Sequence, residues 1–330
     1  MHILGNLNYI CRPVNVVGAQ IGGTKLDVFI CNFGRGSMKL FSYAKINLGL
    51  KVLGKREDGY HDILSLFHEI DLADTLTVRA LETDDLRVTS LGAGIPDGPD
   101  NLAYRAADAL RIATNRPELG AEIDILKQIP AGGGLGGGSS NAGSTLVALN
   151  KLWDLNLAAD RLATLGASIG SDVPFFIRGG TALVTGRGEH LQRIDSEGDP
   201  VLVLVEPGFG VSTPWAFGKV NIELTSDSPY IRFLNSVCDC GKVDLLDLLA
   251  AVENDFLTVV AARYPSIQHI LSVLREGGAA GASMSGTGAT LYGGFAQESD
   301  AQMTIDRLRN RGYTVRLCRP VRRLSTRFTQ

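Results

Sequence analysis

The chain has 330 residues, 45% hydrophobic and 20% charged, enough to bury an ordinary core in one large domain or two mid-sized ones. A formal net charge of -3 leaves no broad basic field for a polyanion, so nucleic acid is not an expected partner, and no apolar run approaches the roughly 20 residues that span a bilayer. Cys11, Cys31, Cys238, Cys240 and Cys318 are odd in number and scattered, which argues against a secreted disulfide framework; Cys238 and Cys240 have no second pair at zinc spacing, and the expectation is free thiols in a cytoplasmic enzyme.

Residues 1–37 show little periodicity and end in Gly34-Arg35-Gly36-Ser37, so they read as an extension ahead of a natural start at Met38. Within them Ile21-Gly22-Gly23-Thr24-Lys25 resembles the phosphate loop of actin-like sugar kinases, but Gln20 stands where that loop expects an acidic residue, and coincidence is the better reading. From residue 39 the pattern is regular. Residues 41–53 alternate as a strand, Gly59-Tyr60 marks a turn, and 66–70 and 76–78 are strand-like. Asn101 is a candidate cap for a helix over 102–113, residues 121–126 read as a strand, and 139–152 carry apolar residues at helical spacing. Strands are predicted at 181–184 and 201–205, then a more helical section, then alternation of helix and strand through 267–274, 282–284, 291–295, 301–308 and 313–317. The fold class read from this order is α+β in two domains, 38–196 and 197–330, with a soft boundary at residues 197–200.

Thirty-nine glycines are many, and they cluster. Pro130-Ala131-Gly132-Gly133-Gly134-Leu135-Gly136-Gly137-Gly138-Ser139-Ser140-Asn141 lies between the predicted strand at 121–126 and the predicted helix at 139–152. Removing side chains there frees successive backbone N–H groups, and the positive end of a helix dipole, to bind phosphate. Ser139 and Ser140 add hydroxyls that reach phosphate or Mg²⁺. Gly132, Gly134 and Gly137 satisfy a dinucleotide fingerprint in form, but Asp154 follows the helix too closely to serve as its acidic partner; no Lys-Ser/Thr follows the glycines as in a Walker loop.

The loop resembles that of the GHMP kinases, and three further stretches match that superfamily in order. Tyr43-Ala44-Lys45-Ile46-Asn47-Leu48 is similar to its first motif, Gly170-Ser171-Asp172-Val173-Pro174 to the segment that supplies a catalytic aspartate, and Ala282-Ser283-Met284-Ser285-Gly286-Thr287-Gly288 to its third, glycine-rich motif. Taken singly, Lys45 reads equally as a surface lysine, Asp172 as a cap for the turn at Val173-Pro174, and Ser285 to Gly288 as a hairpin turn. Together they are the parts that phosphoryl transfer needs: a phosphate cradle, a cation and a carboxylate near the accepting hydroxyl. A fifth stretch, Asp58-Gly59-Tyr60-His61, resembles the signature of the diphosphocytidyl-methylerythritol kinases within the superfamily.

The resemblance implies a two-domain fold with a ribosomal-protein-S5-like N-terminal domain, and ATP with Mg²⁺ along Pro130 and Gly132 to Ser140. It implies Lys45 and Asp172 as catalytic residues, with Asp172 accepting the proton of the 2-hydroxyl of 4-diphosphocytidyl-2-C-methyl-D-erythritol. Asn47 is expected to bond substrate or the metal shell, Tyr60 and His61 to hold the cytidine end, and Phe217 to stack on the base, with Trp215 an adjacent competitor. Three rivals stand beside this reading: a GHMP enzyme with another acceptor, disfavoured by residues 58–61; a regulator that has lost catalysis, disfavoured by the presence of both Lys45 and Asp172; and a nicotinamide enzyme using the glycine loop.

Overall fold

The computed structural model describes residues 36–92, 94–220 and 228–321, together with the backbone of three short upstream strands, β1 (Ala19–Ile21), β2 (Thr24–Leu26) and β3 (Cys31–Asn32). Gly22 and Gly23, and most of the expected extension, lie outside the described residues.

Two long strands dominate the first half. β4 (Ser37–Lys55) and β5 (His61–Leu81) pair antiparallel around a turn in which Gly59 N–H donates to Arg56 O. Sequence alternation predicted separate strands at 66–70 and 76–78; the structure has one, because Glu69 and Asp74 interrupt the apolar pattern yet stay paired with β4, and the strand runs on through a register shift at Asp71 and Leu72. Glu69 and Asp74 are both buried, and Asp74 meets its cost with four hydrogen-bond partners described below. Shifts of register between Tyr43/Ala44, Asn47/Leu50 and Val52/Gly54 bend the hairpin, so its two ends enter different surroundings.

The outer end of β5 pairs with β7 (Gly120–Leu126), which in turn pairs parallel with β6 (Leu86–Leu91). Its inner end, Ser65 to His68, pairs instead with β8 (Thr181–Thr185), and β8 with β9 (His190–Arg193), completing a seven-stranded sheet. One face is covered by α1 (Leu102–Thr114), α2 (Gly137–Leu152) and α3 (Ala159–Ile169), whose apolar faces share a core with Leu40, Leu76, Val78 and Ile123. Asn101 caps α1 as expected, its side chain accepting the Ala103 N–H at 2.9 Å. The short α4 (Val173–Arg178) was not foreseen as a helix; Pro174 and two phenylalanines gave no periodicity to read in six residues.

After β9 the chain forms β10 (Asp195–Glu197) and enters a second, antiparallel sheet at β11 (Val201–Glu206). Five consecutive buried residues in β11 fit a central strand covered on both faces, each large aliphatic side chain contributing roughly 1.5–3 kcal/mol. The remaining elements are α5 (Thr213–Phe217), α6 (Pro229–Cys240), β12 (Lys242–Asp244), α7 (Leu245–Ala250), α8 (Phe256–Arg263), α9 (Ser266–Glu276), β13 (Gly281–Met284), β14 (Leu291–Phe295), α10 (Glu298–Arg309) and β15 (Thr314–Cys318). The second sheet runs β13-β14-β11-β15, and β10 pairs with β12. α8, α9 and α10 share one core with this sheet, while α6 and α7 share another with Ile46 and Leu48 of β4 and Leu202 and Leu204 of β11, joining the halves.

Candidate active site

β4 carries Lys45 into the join between the halves, where both faces of the strand are covered. The Lys45 side chain is 5% exposed; its ammonium donates to Asn47 Oδ1 at 2.5 Å, lies 3.6 Å from Asp172 Oδ2, and sits 4.5 Å from the centre of the Phe67 ring. Burial pulls the Lys45 pKa below its ordinary value, and the charge and hydrogen bonding of Asp172 work against that fall. Asp172 occupies the N-cap position of α4 yet its side chain makes no capping bond, so the carboxylate, 27% exposed, faces Lys45 and solvent instead.

The glycine loop closes over this pair. Lys45 N–H donates to Leu135 O at 3.0 Å, fixing the loop to β4, and buried Leu135 anchors it in the core. Gly136 is the N-cap of α2 at φ +69°, and any Cβ there would come within 2.8 Å of Phe176 and 3.3 Å of Lys45 Cε. It brings no side chain to accept from the first N–H groups of α2. Those donors point out of a helix start, the arrangement that takes an anion.

The third motif forms the facing lip. Ser285 Oγ donates to Gly134 O at 2.8 Å and Thr290 N–H to Gly133 O at 3.2 Å. Gly134, at φ +77°, has no room for a Cβ, which would stand 2.1 Å from Ser285 O. Ser285, Gly286, Thr287 and Gly288 are all buried, and Thr287 Oγ1 lies 3.1 Å from Thr213 Oγ1, linking this turn to the segment that leads into α5.

At the far end the His61 and Phe217 rings stack, 5.0 Å between centres and 29° between planes. Phe217 in turn meets Phe256 edge-on at 4.7 Å, whereas Trp215 faces the guanidinium of Arg263 at 4.6 Å. The choice between Phe217 and Trp215 that the sequence left open is thereby decided as far as proximity to His61 goes. Tyr60 is 58% exposed at the hairpin turn, with the Arg187 guanidinium 4.9 Å over its ring. Gly188, next to Arg187, approaches Asp172 closely enough that a Cβ would stand 3.9 Å from Oδ1.

Two residues have surroundings other than those expected. Asn47, expected to bond a ligand, is 1% exposed and engaged inside the protein: Oδ1 accepts from Lys45, and Nδ2 donates to Ser65 Oγ at 2.9 Å. Ser140 is equally buried, its hydroxyl donating to Tyr43 O at 2.6 Å and lying 2.6 Å from Ser42 Oγ, so it ties α2 to β4 where a phosphate contact was expected. Ser139, by contrast, is half-buried and lies against Gly170, beside the Asp172 segment.

A buried network under the loop escaped the sequence reading. Asp74 Oδ1 accepts the N–H groups of Gln128 at 2.7 Å and Ile129 at 2.9 Å, while Oδ2 accepts from the Lys127 ammonium and from Asn141 Nδ2. Lys127 also donates to Asn141 Oδ1 at 3.0 Å. The network fixes where β7 ends and α2 begins, and hence the span left for the glycines. Its only sequence signal was an aspartate inside a strand pattern.

The model for the GHMP kinases N terminal domain matches residues 101–180, and that for the GHMP kinases C terminal matches 241–314. The 4-diphosphocytidyl-2-C-methyl-D-erythritol kinase of Geobacter metallireducens is 42% identical over 275 residues, covering 83% of this chain and 95% of the relative; that of Geobacillus kaustophilus is 42% identical over 267 residues, covering 81% and 91%. The chain belongs to the GHMP kinases and, within them, to the family of these relatives. A crystal structure of 4-(cytidine 5'-diphospho)-2C-methyl-D-erythritol kinase superposes with a TM-score of 0.72 at 31% identity, covering 87% of this chain and 100% of that one. Homoserine kinase from Cytophaga hutchinsonii, at TM-score 0.68 and 16% identity over 88% of this chain and 96% of its own, shares the fold. Among the described residues no helix is long and apolar enough to cross a membrane, and no group of three or more His, Cys, Asp or Glu is placed to hold a metal ion.

Proposed function

We propose that the chain transfers the γ-phosphoryl group of ATP to the 2-hydroxyl of 4-diphosphocytidyl-2-C-methyl-D-erythritol, in the non-mevalonate route to isoprenoid precursors. The observation that carries this reading is one arrangement: a Lys45–Asp172 pair beside the glycine loop, and a His61–Phe217 ring stack in which His61 follows Tyr60, whose ring faces Arg187, one residue before the Gly188 that approaches Asp172. The first suits phosphoryl transfer; the second suits a flat base at the other end of the acceptor.

The 2-hydroxyl oxygen forms the new bond to the γ-phosphorus as the bond to the ADP oxygen breaks, and Asp172 takes the hydroxyl proton. Lys45, held by Asn47 and by the Phe67 face, stabilises the charge on the transferring group. The glycine loop from Pro130 and Gly132 to Ser139 cradles the other phosphates with its N–H groups, and Ser285 to Gly288 closes the site from the opposite lip. Ser140 acts through the loop's anchorage. The residues present fit Mg²⁺ as an ion with few protein ligands: the half-buried Ser139 hydroxyl, which lies against Gly170, would hold it, and bound there it would neutralise phosphate charge. Tyr60, His61 and Phe217 hold the cytidine end. The ATP-binding domain spans residues 38–196 and the second domain 197–330, and the enzyme works in the cytoplasm.

The test is ATP consumption by the purified protein with Mg²⁺ and the cytidylated acceptor, set beside mevalonate, galactose and homoserine. Turnover confined to the cytidylated acceptor is expected. Turnover only on another acceptor keeps the kinase and overturns the specificity; ATP binding without turnover on any overturns both.

A further inference from the structure

From one tripeptide, Asn254-Asp255-Phe256, hydrogen bonds and ring contacts lead both to the glycine loop and to the His61 ring. Asn254 is 8% exposed and all its side-chain hydrogen bonds are internal: Nδ2 donates to Met284 O at 2.7 Å and to Gly286 O at 2.9 Å, and Oδ1 accepts from Phe256 N–H at 2.9 Å. These two carbonyls flank Ser285, whose hydroxyl bonds Gly134 O. Asn254 therefore fixes the turn that fixes the phosphate loop. The next residue ties the same segment to the strand of Lys45: Asp255 Oδ2 accepts from Val52 N–H at 2.8 Å, Oδ1 lies 2.6 Å from Lys51 Nζ, and the backbone of residues 253–255 bonds both sides of Leu50. Although burial works against the charge of Lys51, Asp255 and Glu253 hold its pKa above the ordinary lysine value. The third, Phe256, is fully buried and meets Phe217 edge-on, and Phe217 stacks on His61.

We infer that Asn254 and Phe256 are positioning residues for the two ends of the reaction, Asn254 for the nucleotide phosphates and Phe256 for the base of the acceptor, with Asp255 holding both to β4. The inference rests on the function proposed above for the assignment of the two ends. Its physical basis is that each residue acts through one intermediate, Ser285 or Phe217, and that the two routes separate at the first residue. A change at Asn254 then loosens the phosphate lip, while Phe256 loses one acceptor for its N–H but keeps its buried ring against Phe217. A change at Phe256 does the reverse. Simple core damage would treat both ends alike.

The experiment measures ATP and cytidylated-acceptor KM, together with direct titration of ADP and of cytidine 5'-diphosphate, for the wild type, Asn254→Ala, Phe256→Leu and Ser285→Ala. Asn254→Ala is expected to weaken nucleotide binding about ten-fold with acceptor KM within about two-fold of wild type, since two of the three buried hydrogen bonds lost are those to the carbonyls either side of Ser285. Phe256→Leu is expected to raise acceptor KM several-fold and leave ADP binding unchanged. Asn254→Ala with Ser285→Ala is expected to cost little more than the worse single change, because the two act in series. Equal losses at both ends in either variant, or additive losses in the double variant, would overturn the inference. If Asn254→Ala does not fold, Ser285→Ala alone decides the phosphate arm by the same comparison. A wild type inactive on the cytidylated acceptor sinks the functional reading instead, and the ADP titrations still decide whether Asn254 sets the phosphate lip.

Discussion

The nearest acceptor to the Lys45 ammonium is Asn47 Oδ1, at 2.5 Å, while the carboxylate of Asp172 stands further off at 3.6 Å. A neutral side chain thus holds the cation at closest range, and the carboxylate opposite it, 27% exposed, stands at ion-pair distance with a face open to another donor. On the reading proposed here that donor is the acceptor hydroxyl. Asp172→Asn should lower kcat by about 10²–10⁴-fold with ADP affinity little changed. Steady-state kinetics beside a nucleotide titration check this; loss of ADP binding in a folded variant would remove Asp172 from the proton-transfer role.

The alkaline limb of the pH–rate profile should report Lys45. Burial lowers its pKa, so the cation is lost, and turnover falls, at a pH below the 10.5 of a free lysine. Removing the opposing influence of Asp172 should move the limb of the residual activity lower still. For stability the sign is opposite. The folded state binds fewer protons than the unfolded state between the two pKa values, so this group's contribution grows as pH rises through that window. In Lys45→Arg the limb should vanish from the accessible range, and an unchanged limb would assign it to another group.

Two alanine substitutions in the glycine loop should differ sharply. Gly132 has a left-handed backbone, φ +69°, but open space around a Cβ, whereas at Gly134 the same region of φ adds a backbone oxygen 2.1 Å away. Gly132→Ala should cost about 1 kcal/mol and leave the protein folded, so that any loss of ADP binding reports the phosphate contact itself. Gly134→Ala should break the contact with Ser285 and abolish ADP binding, or the fold with it. Thermal denaturation and an ADP titration of both variants test the contrast.

Under the loop, Asp74→Asn should destabilise the protein by roughly 3–5 kcal/mol, because Lys127, 5% exposed, is left buried without its carboxylate. The pair Asp74→Asn with Lys127→Met should recover part of that loss. Urea unfolding measures both, and a cost below about 1 kcal/mol for the single change would mean that water reaches the site on relaxation.

At the base end, Phe217→Leu should raise acceptor KM about ten-fold, from the roughly 1–3 kcal/mol of a stacked base. Trp215→Leu should do less, since the Trp215 ring faces Arg263. Comparable effects of the two would return both rings to the site.

Much of this was legible from residues alone, for physical reasons that differ by element. The run from Gly132 to Gly138 could be read because glycine in that number has few uses other than freeing backbone beside a ligand. Asn101 could be read because capping is local, and its bond spans two residues. The segments from α9 to β15 could be located because their core positions repeat at the spacing of each element, although β13 and β14 follow one another where alternation with helix was expected, and β10 and β12, three residues each, gave no pattern to read. β5 was harder, since the buried Glu69 and Asp74 carry charges that look like loop residues until their distant partners are known.

The sequence by itself determined the parts: a glycine loop between a strand and a helix, a lysine on a strand, an aspartate before Val173-Pro174, a second glycine-rich stretch at 282–288 and two aromatic positions. Tertiary structure alone decided their relations. It turned Asn47 and Ser140 inward, left the Asp172 side chain uncapped, set Phe217 rather than Trp215 against His61, and led both lips of the site back to Asn254-Asp255-Phe256. The reason is that a pattern along the chain reports which face of an element is apolar, whereas the direction of a polar side chain is set by partners far along the chain, 99 residues away for Ser42 and Asn141 and 238 for Asn47 and Ser285.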